Sequence, residues 1–295
     1  MQKNSEKIIT NTIRIAGSSS ILFILLIFVF LMREGLPAIA EVAPRDMFST
    51  RWYPIEDLFG IIPLLSGSLV VTVLSMLIAL PFGLLTAIYI GEIAPRKVNE
   101  ILKPAIEILA GIPSVVLGFI GIQLLAPFLR VFFNLPTGLT ALSGAILLAL
   151  ISIPTVVSIA EDALYAVPAS YRDAAYALGA SQWQTIWFVV VPAARRGILT
   201  AVMLGVGRSL GETMAVMMVT GNAPTTFSSL ASFISPVRTM TATIASEMGE
   251  VATGSVHYHI LFFIGIILFI FSLIINISST STAKRTSKQK VQVVS

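Results

Sequence analysis

The sequence contains no cysteine and few charged residues. Of its 295 residues, 12% are charged and 56% are hydrophobic, and the mean hydropathy is +0.90. The absence of cysteine excludes disulfides, thiolate metal sites and thiol nucleophiles. Soluble domains carry about 25% charged residues, so the composition indicates a membrane protein instead.

Several enzyme motifs are also absent. The sequence has no G-x-x-x-x-G-K-[ST] segment, and therefore no P-loop to hold nucleotide phosphates. It has no H-E-x-x-H, and the pair His257 and His259 has no evident third ligand, so we expect no metal and no other cofactor. The pI of about 9.5 does not indicate nucleic-acid binding, because the basic residues flank apolar segments.

What the sequence does contain is apolar runs long enough to cross a bilayer, which takes roughly 20 residues. We predict an all-α polytopic membrane protein with six transmembrane helices, over residues 15–32, 62–90, 104–128, 139–160, 197–219 and 259–279. The first run resembles a signal peptide with a cleavage site at Ala38-Ile39-Ala40. Its length and the intervening Arg33-Glu34 favour an uncleaved anchor.

This pattern divides the chain into three regions. Residues 1–60 comprise an N-terminal tail, the first transmembrane helix and an extracytoplasmic loop. Residues 61–279 comprise the main transmembrane domain, in which residues 161–196 form a long cytoplasmic loop. Residues 280–295 are rich in Ser, Thr and Lys and are predicted to be a disordered cytoplasmic tail.

The positions of lysine and arginine predict the orientation. With both termini in the cytoplasm, 13 basic residues lie inside and 5 outside, as the positive-inside rule requires. Outside, Arg238 is expected to pair with Glu247 or Glu250. Inside, Lys103 is expected to pair with Glu107, one helical turn away.

The cytoplasmic loop contains the segment PASYRDAAYALGASQWQTIWFVVVP, residues 168–192. Its S-x-x-D at 170–173 fits a capping box, which predicts a helix from about Tyr171. Gly179 is placed to end that helix in a left-handed turn. The S-x-x-Q at 181–184 fits a second capping box, so a second helix is predicted to follow.

The spacing resembles the EAA loop of ABC-transporter permeases. In that motif Glu-Ala-Ala is followed after three residues by Gly, and after nine more residues by Ile-x-Leu-Pro. The matching residues are Asp173, Ala174, Ala175, Gly179 and Pro192. Asp replaces Glu, and valines replace Ile and Leu. The resemblance implies that the first helix docks on a separate cytoplasmic ATPase and transmits its motion. The alternatives are an ordinary connector and a DNA-binding helix-turn-helix, which the sparse positive charge disfavours.

Two charged residues lie within the fifth apolar run, in GVGRSLGETMAV at 205–216. An arginine at mid-membrane costs about 2.5–3.5 kcal/mol on the insertion scale. Arg208 and Glu212 are four residues apart, so they are predicted to share one helix face and can pair. Gly205 lies on that face and leaves room for a solute or a neighbouring helix.

This charge pair has two interpretations. It could be an ion pair that only stabilises the bundle. Alternatively, the planar guanidinium of Arg208 binds a tetrahedral oxyanion such as phosphate in a transport pathway. In that case Glu212 orients Arg208 and accepts the proton-bearing oxygen of hydrogen phosphate, which sulfate lacks.

Five stretches occur in one order along the chain: FGIIPLLSGSL at 59–69, EILAGIPSVVLGF at 107–119, GRSLGETMAV at 207–216, SPVRTMTATIASEMGE at 235–250 and HYHILFFIGIILFIFSLIIN at 257–276. Together they resemble the phosphate ABC-transporter permeases of the phosphate-specific transport system, within the binding-protein-dependent permease family. The resemblance implies the type I ABC-importer permease fold and a multi-pass protein that carries inorganic phosphate across a prokaryotic cell membrane.

The resemblance also implies partners. These are a dimer of cytoplasmic ATPase subunits, a second related permease and an extracytoplasmic phosphate-binding protein. The permease itself would also contact membrane lipid. Two alternatives remain open: a permease for another oxyanion such as molybdate or sulfate, and a non-transport membrane scaffold.

Overall fold

The computed structural model of the chain describes residues 2–227 and 229–292. Its helices are α1 (Gln2–Gly35), α2 (Pro37–Glu41), α3 (Pro44–Met47), α4 (Ile62–Ile88), α5 (Arg96–Gly111), α6 (Ser114–Ile120), α7 (Ala126–Phe132), α8 (Ala141–Tyr165), α9 (Ala169–Ala177), α10 (Gln182–Thr185), α11 (Val191–Gly211), α12 (Met214–Val219), α13 (Met240–Glu247) and α14 (Val256–Gln292).

Shorter elements complete the chain. Turns of π-helix at Tyr89–Ile93, Gly121–Leu125 and Ile186–Val190 continue α4, α6 and α10, and 3-10 turns cover Pro54–Glu56 and Leu230–Ile234. Two short strands, β1 (Trp52–Tyr53) and β2 (Leu58–Phe59), form an antiparallel hairpin. We call the end of the bundle that carries this hairpin the hairpin end, and the opposite end, which carries residues 161–196, the loop end.

Among the described residues, six helical stretches are long and apolar enough to cross a membrane, as predicted. They are Ile9–Glu41, Ile62–Ile93, Ser114–Phe132, Ala141–Tyr165, Gln182–Gly211 and Val256–Ser278. The chain is therefore an all-α polytopic membrane protein. One predicted bound is wrong, because the third stretch starts at Ser114 rather than 104, and the fifth helical stretch starts at Gln182 and ends at Gly211, within the predicted span 197–219.

The third stretch starts late because a proline separates it from α5. Ile112 has an extended backbone ahead of Pro113, a conformation that preproline sterics favour, so α5 ends at Gly111. α5 is amphipathic and lies beside the bundle, with Leu102 and Ile106 packed against the core.

The expected partner of Lys103 is also wrong. Lys103 Nζ lies 2.5 Å from Oε1 of Glu161 on α8, rather than next to Glu107. The side chain of Glu161 is mostly buried and that of Lys103 is half exposed, so the pair joins α5 to α8 at the loop end. Packing of α5 against α8 brings these two side chains together, a contact that sequence spacing cannot indicate.

Helices α4, α8 and α11 form the centre of the bundle, with α14 against α11 and α1 against α14. One buried cluster towards the hairpin end includes Val71, Leu148 and Val219, and another towards the loop end includes Ile90 and Leu164. Small residues allow the close helix contacts that stabilise membrane bundles, where the hydrophobic effect does little between helices.

The last helix continues beyond the membrane stretch. α14 runs to Gln292, whereas the sequence predicts a disordered tail over 280–295. Lysine and arginine are good helix formers, and this segment extends a helix that is already nucleated. Residues 293–295 of the predicted tail lie outside the described residues.

Candidate transport site and coupling surface

The fifth apolar run is broken at Gly211–Thr213. α11 ends at Gly211, Glu212 has an extended backbone (φ −70°, ψ 129°), and α12 begins at Met214. Thr241 Oγ1 on α13 donates to the Glu212 carbonyl at 3.0 Å and satisfies part of the backbone that the break frees. Irregular backbone at membrane depth is tolerated only where it is buried in protein or lines a polar cavity, so the break marks a candidate site.

Arg208 lies one turn before the break, on the surface of the single chain. Its Nε donates to the carbonyl of Ile151 at 3.3 Å, and Ile151 lies near the middle of α8. The Arg208 side chain is exposed in the single chain. Because an arginine facing lipid at this depth is costly, a polar path or another protein chain has to lie against this face.

The predicted pair of Arg208 with Glu212 is wrong. The helix ends between them, so the two side chains do not share a helix face, and no ion pair within the described residues joins them. Glu212 Oε1 instead accepts from the backbone N–H of Thr213 at 3.2 Å. Gly211 weakens the helix at this point, and Thr213 Oγ1 donates to its carbonyl at 3.3 Å.

Glu212 lines a small cavity enclosed by α4, α8, α11, α12 and α13. The other polar groups of its lining are hydroxyls, those of Ser68, Thr72, Ser209, Thr239 and Thr241. Its apolar walls are Val71, Leu148, Leu210 and Val216. Arg208 is not among the lining residues. The lining therefore combines hydroxyl-bearing side chains with one carboxylate, and the cavity, at about 10 Å³, has room for about one water molecule and not for an oxyanion.

Three buried serines connect the central helices beside this cavity. Ser209 Oγ on α11 lies 3.2 Å from Ser75 Oγ on α4 and 2.9 Å from Ser152 Oγ on α8. All three residues are buried, and Ser75 and Ser152 lie near the middle of their helices. This cluster is not predictable from the sequence, because isolated serines in apolar runs have no diagnostic spacing.

Gly205 has a packing role in the structure. It is buried, and a Cβ added there would lie 2.9 Å from Cγ2 of Val156 and 3.5 Å from the sulfur of Met76. The glycine thus lets α11 approach α4 and α8 closely. Of the two uses predicted for this position, room for a neighbouring helix agrees with the structure and room for a solute does not.

The loop end carries the helix, corner and helix that the sequence predicts. Gly179 has φ +85°, as predicted for the residue that ends α9, and Ala180 N donates to the Ala175 carbonyl at 3.0 Å. The capping box of Ser181 and Gln184 is present, with hydrogen bonds of 3.3 and 2.8 Å. The second helix continues through a π-helical turn into α11.

The capping box predicted at Ser170 and Asp173 is wrong. α9 begins at Ala169 after Pro168, without a side-chain cap, so Ser170 lies inside the helix and forms no capping box with Asp173. Proline favours helix starts, because its φ is already set for helix and its missing N–H has no partner there anyway. Pro192 follows the π-helical turn and lies in the first turn of α11.

Most of the surface of α9 and of the corner after it is exposed. We call this exposed surface the coupling face. Its members are Tyr171, Asp173, Ala174, Tyr176, Leu178 and Trp183, all exposed. Ala175 points the other way and is buried. Leu178 is 89% exposed, and exposed apolar groups clustered with one carboxylate are typical of a protein-docking site.

At the hairpin end, one carboxylate joins four parts of the chain in what we call the Glu247 hub. Glu247 accepts from Arg238, as predicted, and from Trp52 Nε1 at 3.2 Å, and it lies 2.8 Å from His257 Nε2. Burial favours its neutral form. The hydrogen bonds with His257 and Trp52 and the charge of Arg238 outweigh that effect, so the pKa of Glu247 lies below its ordinary value of 4.5. His257 therefore belongs to this hub, and the described residues contain no cluster that could hold a metal ion.

A comparison with protein families shows which family the chain belongs to. The model of the binding-protein-dependent transport system inner membrane component matches residues 79–288. The chain belongs to this family. It is 41% identical over 253 residues to the probable ABC transporter permease protein YqgH of Bacillus subtilis (strain 168), which covers 84% of this chain and 81% of that protein.

Other relatives carry a more specific name. The chain is 36% identical over 246 residues to the phosphate transport system permease protein PstC of Mesorhizobium japonicum, covering 77% of this chain and 74% of PstC. It is 32% identical over 281 residues to PstC of Haemophilus influenzae, covering 88% and 87%. The chain is therefore a permease subunit rather than an enzyme, and a multi-pass protein of the bacterial inner membrane.

Solved structures confirm the fold of this permease. An alginate ABC transporter structure matches with a TM-score of 0.61 at 16% identity, covering 92% of this chain and 94% of that chain. A structure of the inward-facing methionine ABC transporter MetNI matches with a TM-score of 0.54 at 20% identity, covering 77% and 94%. The chain thus has the ABC-importer permease fold that its motifs predict.

Proposed function

We propose that this permease is a transmembrane subunit of an ATP-driven importer of inorganic phosphate. The observation that carries the proposal is Arg208, an exposed guanidinium level with the middle of α8, in a chain whose relatives include phosphate transport permeases. A guanidinium presents a planar fork of donors that matches a tetrahedral oxyanion.

The exposed position of Arg208 also supports a second permease subunit. In the single chain this arginine would face lipid at considerable cost. A related permease packed against the same face would enclose Arg208 in a path between the two subunits. This arrangement gives the guanidinium a polar surrounding without an ion pair inside its own chain.

The polar lining beside Glu212 would form a second binding position on the proposed path once the surrounding helices separate, since the cavity itself has room for only about one water molecule. A carboxylate accepts a hydrogen bond from the O–H of hydrogen phosphate but repels a fully ionised oxyanion. Surrounding hydroxyl groups such as that of Thr72 can then donate to the remaining oxygens, whereas Thr241 already donates to the Glu212 carbonyl. Arg208 would attract the anion by charge, and Glu212 would select the protonated form, so the two residues act separately rather than as an ion pair.

The coupling face supports a cytoplasmic ATPase dimer as the energy source. Its aromatic side chains and Leu178 are exposed in the single chain, next to Asp173. The loop end and both termini would then lie in the cytoplasm, as the distribution of basic residues predicts. The hairpin end would face outward, where an extracytoplasmic phosphate-binding protein would deliver the substrate.

Reconstitution of the complete importer in proteoliposomes tests this function. The permease, its partner permease and the ATPase subunits are assembled, the binding protein is added outside the vesicles, and uptake of labelled phosphate, sulfate and molybdate is compared. ATP-dependent uptake of phosphate is expected to exceed uptake of the other two anions. Preferential uptake of sulfate or molybdate would identify another oxyanion permease, and assembly with the ATPase but no uptake of any anion would indicate a scaffold.

A further inference from the structure

The coupling helix α9 is tied to the membrane helices by one mostly buried ion pair. Arg172 Nη2 lies 2.5 Å from Oε1 of Glu92, and its Nε lies 3.1 Å from Oε2, so the contact is bidentate. The side chains are 21% and 8% exposed, respectively. Such a two-bond contact fixes orientation as well as distance.

The same arginine holds a second helix. Its Nη1 donates to the Val167 carbonyl at 2.8 Å and its Nη2 to the Leu164 carbonyl at 3.0 Å. Leu164 lies in the last turn of α8 and Val167 two residues beyond its end, where the helix dipole favours a positive charge. One side chain on α9 thus contacts both α4, through its π-helical extension, and α8.

Glu92 receives a further contact from beyond the corner. Gln182 at the start of α10 donates from Nε2 to the Glu92 carbonyl at 2.9 Å. Both α9, through Arg172, and α10, through Gln182, therefore contact Glu92 at the end of the second membrane stretch. Displacement of α9 relative to Glu92 would break the two hydrogen bonds of Arg172 with its carboxylate, and displacement relative to the end of α8 would break the other two.

The helices held in this way are those that carry the central hydroxyl groups. α4 carries Ser75 and Thr72, and α8 carries Ser152, which contact Ser209 or line the cavity at Glu212. A displacement of α9 that moves α4 and α8 with it would reach the candidate site without any change of helix structure between the two places.

We propose that Arg172 and Glu92 are positioning residues that make α9, α4 and α8 move as one body, so that motion of the ATPase reaches the transport site. This inference rests on the proposed transport function. Asp173 and Ala174 on the exposed side of α9 would contact the ATPase, and Arg172 on the opposite side would pass the motion to the membrane helices.

The test replaces the ion pair by apolar residues. Removing one partner alone leaves a buried charge and impairs assembly in any case, whereas replacing both partners of a buried pair with apolar groups is often tolerated. The double variant Arg172→Met with Glu92→Leu is therefore reconstituted with its partners. We measure complex yield, ATP hydrolysis stimulated by loaded binding protein, and anion transported per ATP hydrolysed.

We expect the double variant to assemble and to hydrolyse ATP, but to transport about fivefold less anion per ATP, the lower end of typical coupling between two sites. The matched control is Lys103→Met with Glu161→Leu, which removes an ion pair at the same end that does not involve α9. Its ratio of transport to hydrolysis should equal that of the wild type. An unchanged ratio in the Arg172 and Glu92 variant would overturn the proposal.

A second readout does not depend on the transported anion. Because the chain has no native cysteine, spin labels can be attached at Ser170→Cys on α9 and Ile93→Cys at the end of the second stretch, both exposed positions. In the assembled importer the mean distance between the labels should be the same with and without ATP. In the double variant the distribution of distances should become broader. A distance that changes with ATP in the otherwise wild-type complex would overturn the rigid link, even if phosphate proved to be the wrong substrate.

Discussion

At the scale of single residues, Arg208 and Glu212 have different surroundings although they lie four positions apart. Arg208 is exposed and bonded to a carbonyl of α8, whereas Glu212 lines a cavity rich in hydroxyl groups. The break at Gly211 separates their side chains. Each can therefore contribute to anion transport through its own charge, and each can be tested alone.

Glu212→Gln is expected to weaken the preference for phosphate over sulfate. The amide is nearly isosteric but carries no charge, so it no longer repels the fully ionised anion, and its NH₂ group can donate to sulfate. Initial rates of phosphate and sulfate uptake by reconstituted vesicles give the ratio. If the ratio in the variant equals that of the wild type, Glu212 has no part in selecting the anion.

Glu247→Gln is expected to destabilise the hairpin end by about 1–3 kcal/mol, because buried partners of the carboxylate lose a charged acceptor. The lowered pKa sets the pH dependence. The carboxylate contributes stability above pH 4.5, and this contribution is lost as the pH falls through the lower pKa of the folded state.

Thermal unfolding of the detergent-solubilised protein as a function of pH checks this prediction. The difference between wild type and Glu247→Gln should be largest near neutral pH and should shrink on acidification below pH 4.5. Glu250→Gln is the control, since Glu250 is exposed and lies outside the hub. A difference that does not change with pH would contradict the assigned role of the Glu247 charge.

At the scale of elements, the corner after α9 depends on one backbone conformation. Gly179 has φ +85°, and no atom lies close enough to clash with an added Cβ. Gly179→Ala is therefore expected to cost about 1–2 kcal/mol through backbone strain alone. The strain should loosen the link between α9 and α10.

Complex yield and anion transported per ATP measure this effect. Both should fall in Gly179→Ala, with the transport ratio affected more. Gly111→Ala is the matched control, because Gly111 also has free space around it but lies in a helix, where alanine is favoured. Equal behaviour of the two variants would show that the left-handed corner does not matter for coupling.

The elements also show how far the sequence could predict the structure. Apolar runs predicted all six membrane stretches, and local signals at Gly179 and Ser181 predicted the corner and the second capping box. Contacts between distant segments were not predictable. Lys103 pairs with Glu161 rather than Glu107, and Arg172 contacts Glu92, because packing and not sequence spacing brings these side chains together.

The candidate site was predictable only in part. An arginine within an apolar run is costly, so its presence alone indicated function. The break after Gly211 was missed, because the apolar pattern continues through it and the stabilising contact comes from Thr241 on another helix. The serines at 75, 152 and 209 were missed because each is unremarkable in its own segment and gains meaning only where three helices meet.

At the scale of the whole molecule, the chain contains two candidate sites at different depths. The coupling face lies at the loop end, the broken helix lies level with the middle of the bundle, and α4 and α8 connect the two. The single chain leaves Arg208 exposed at membrane depth, in keeping with the proposed second subunit against that face. The chain is a permease subunit, and the importer that it belongs to is the proposal made above.

The most direct test of the central claim is phosphate uptake by vesicles that contain the assembled importer with Arg208→Ala. Arg130→Ala is the control, since it removes an exposed arginine at the end of α7, away from the proposed path. Yield of the complex and ATP hydrolysis are measured in the same preparations.

Hydrogen bonds to charged groups contribute about 1.5–3 kcal/mol, so uptake should fall by about tenfold or more in Arg208→Ala, with assembly intact and Arg130→Ala unaffected. Uptake at the wild-type rate in an assembled Arg208→Ala importer would contradict the claim that this guanidinium meets the transported anion.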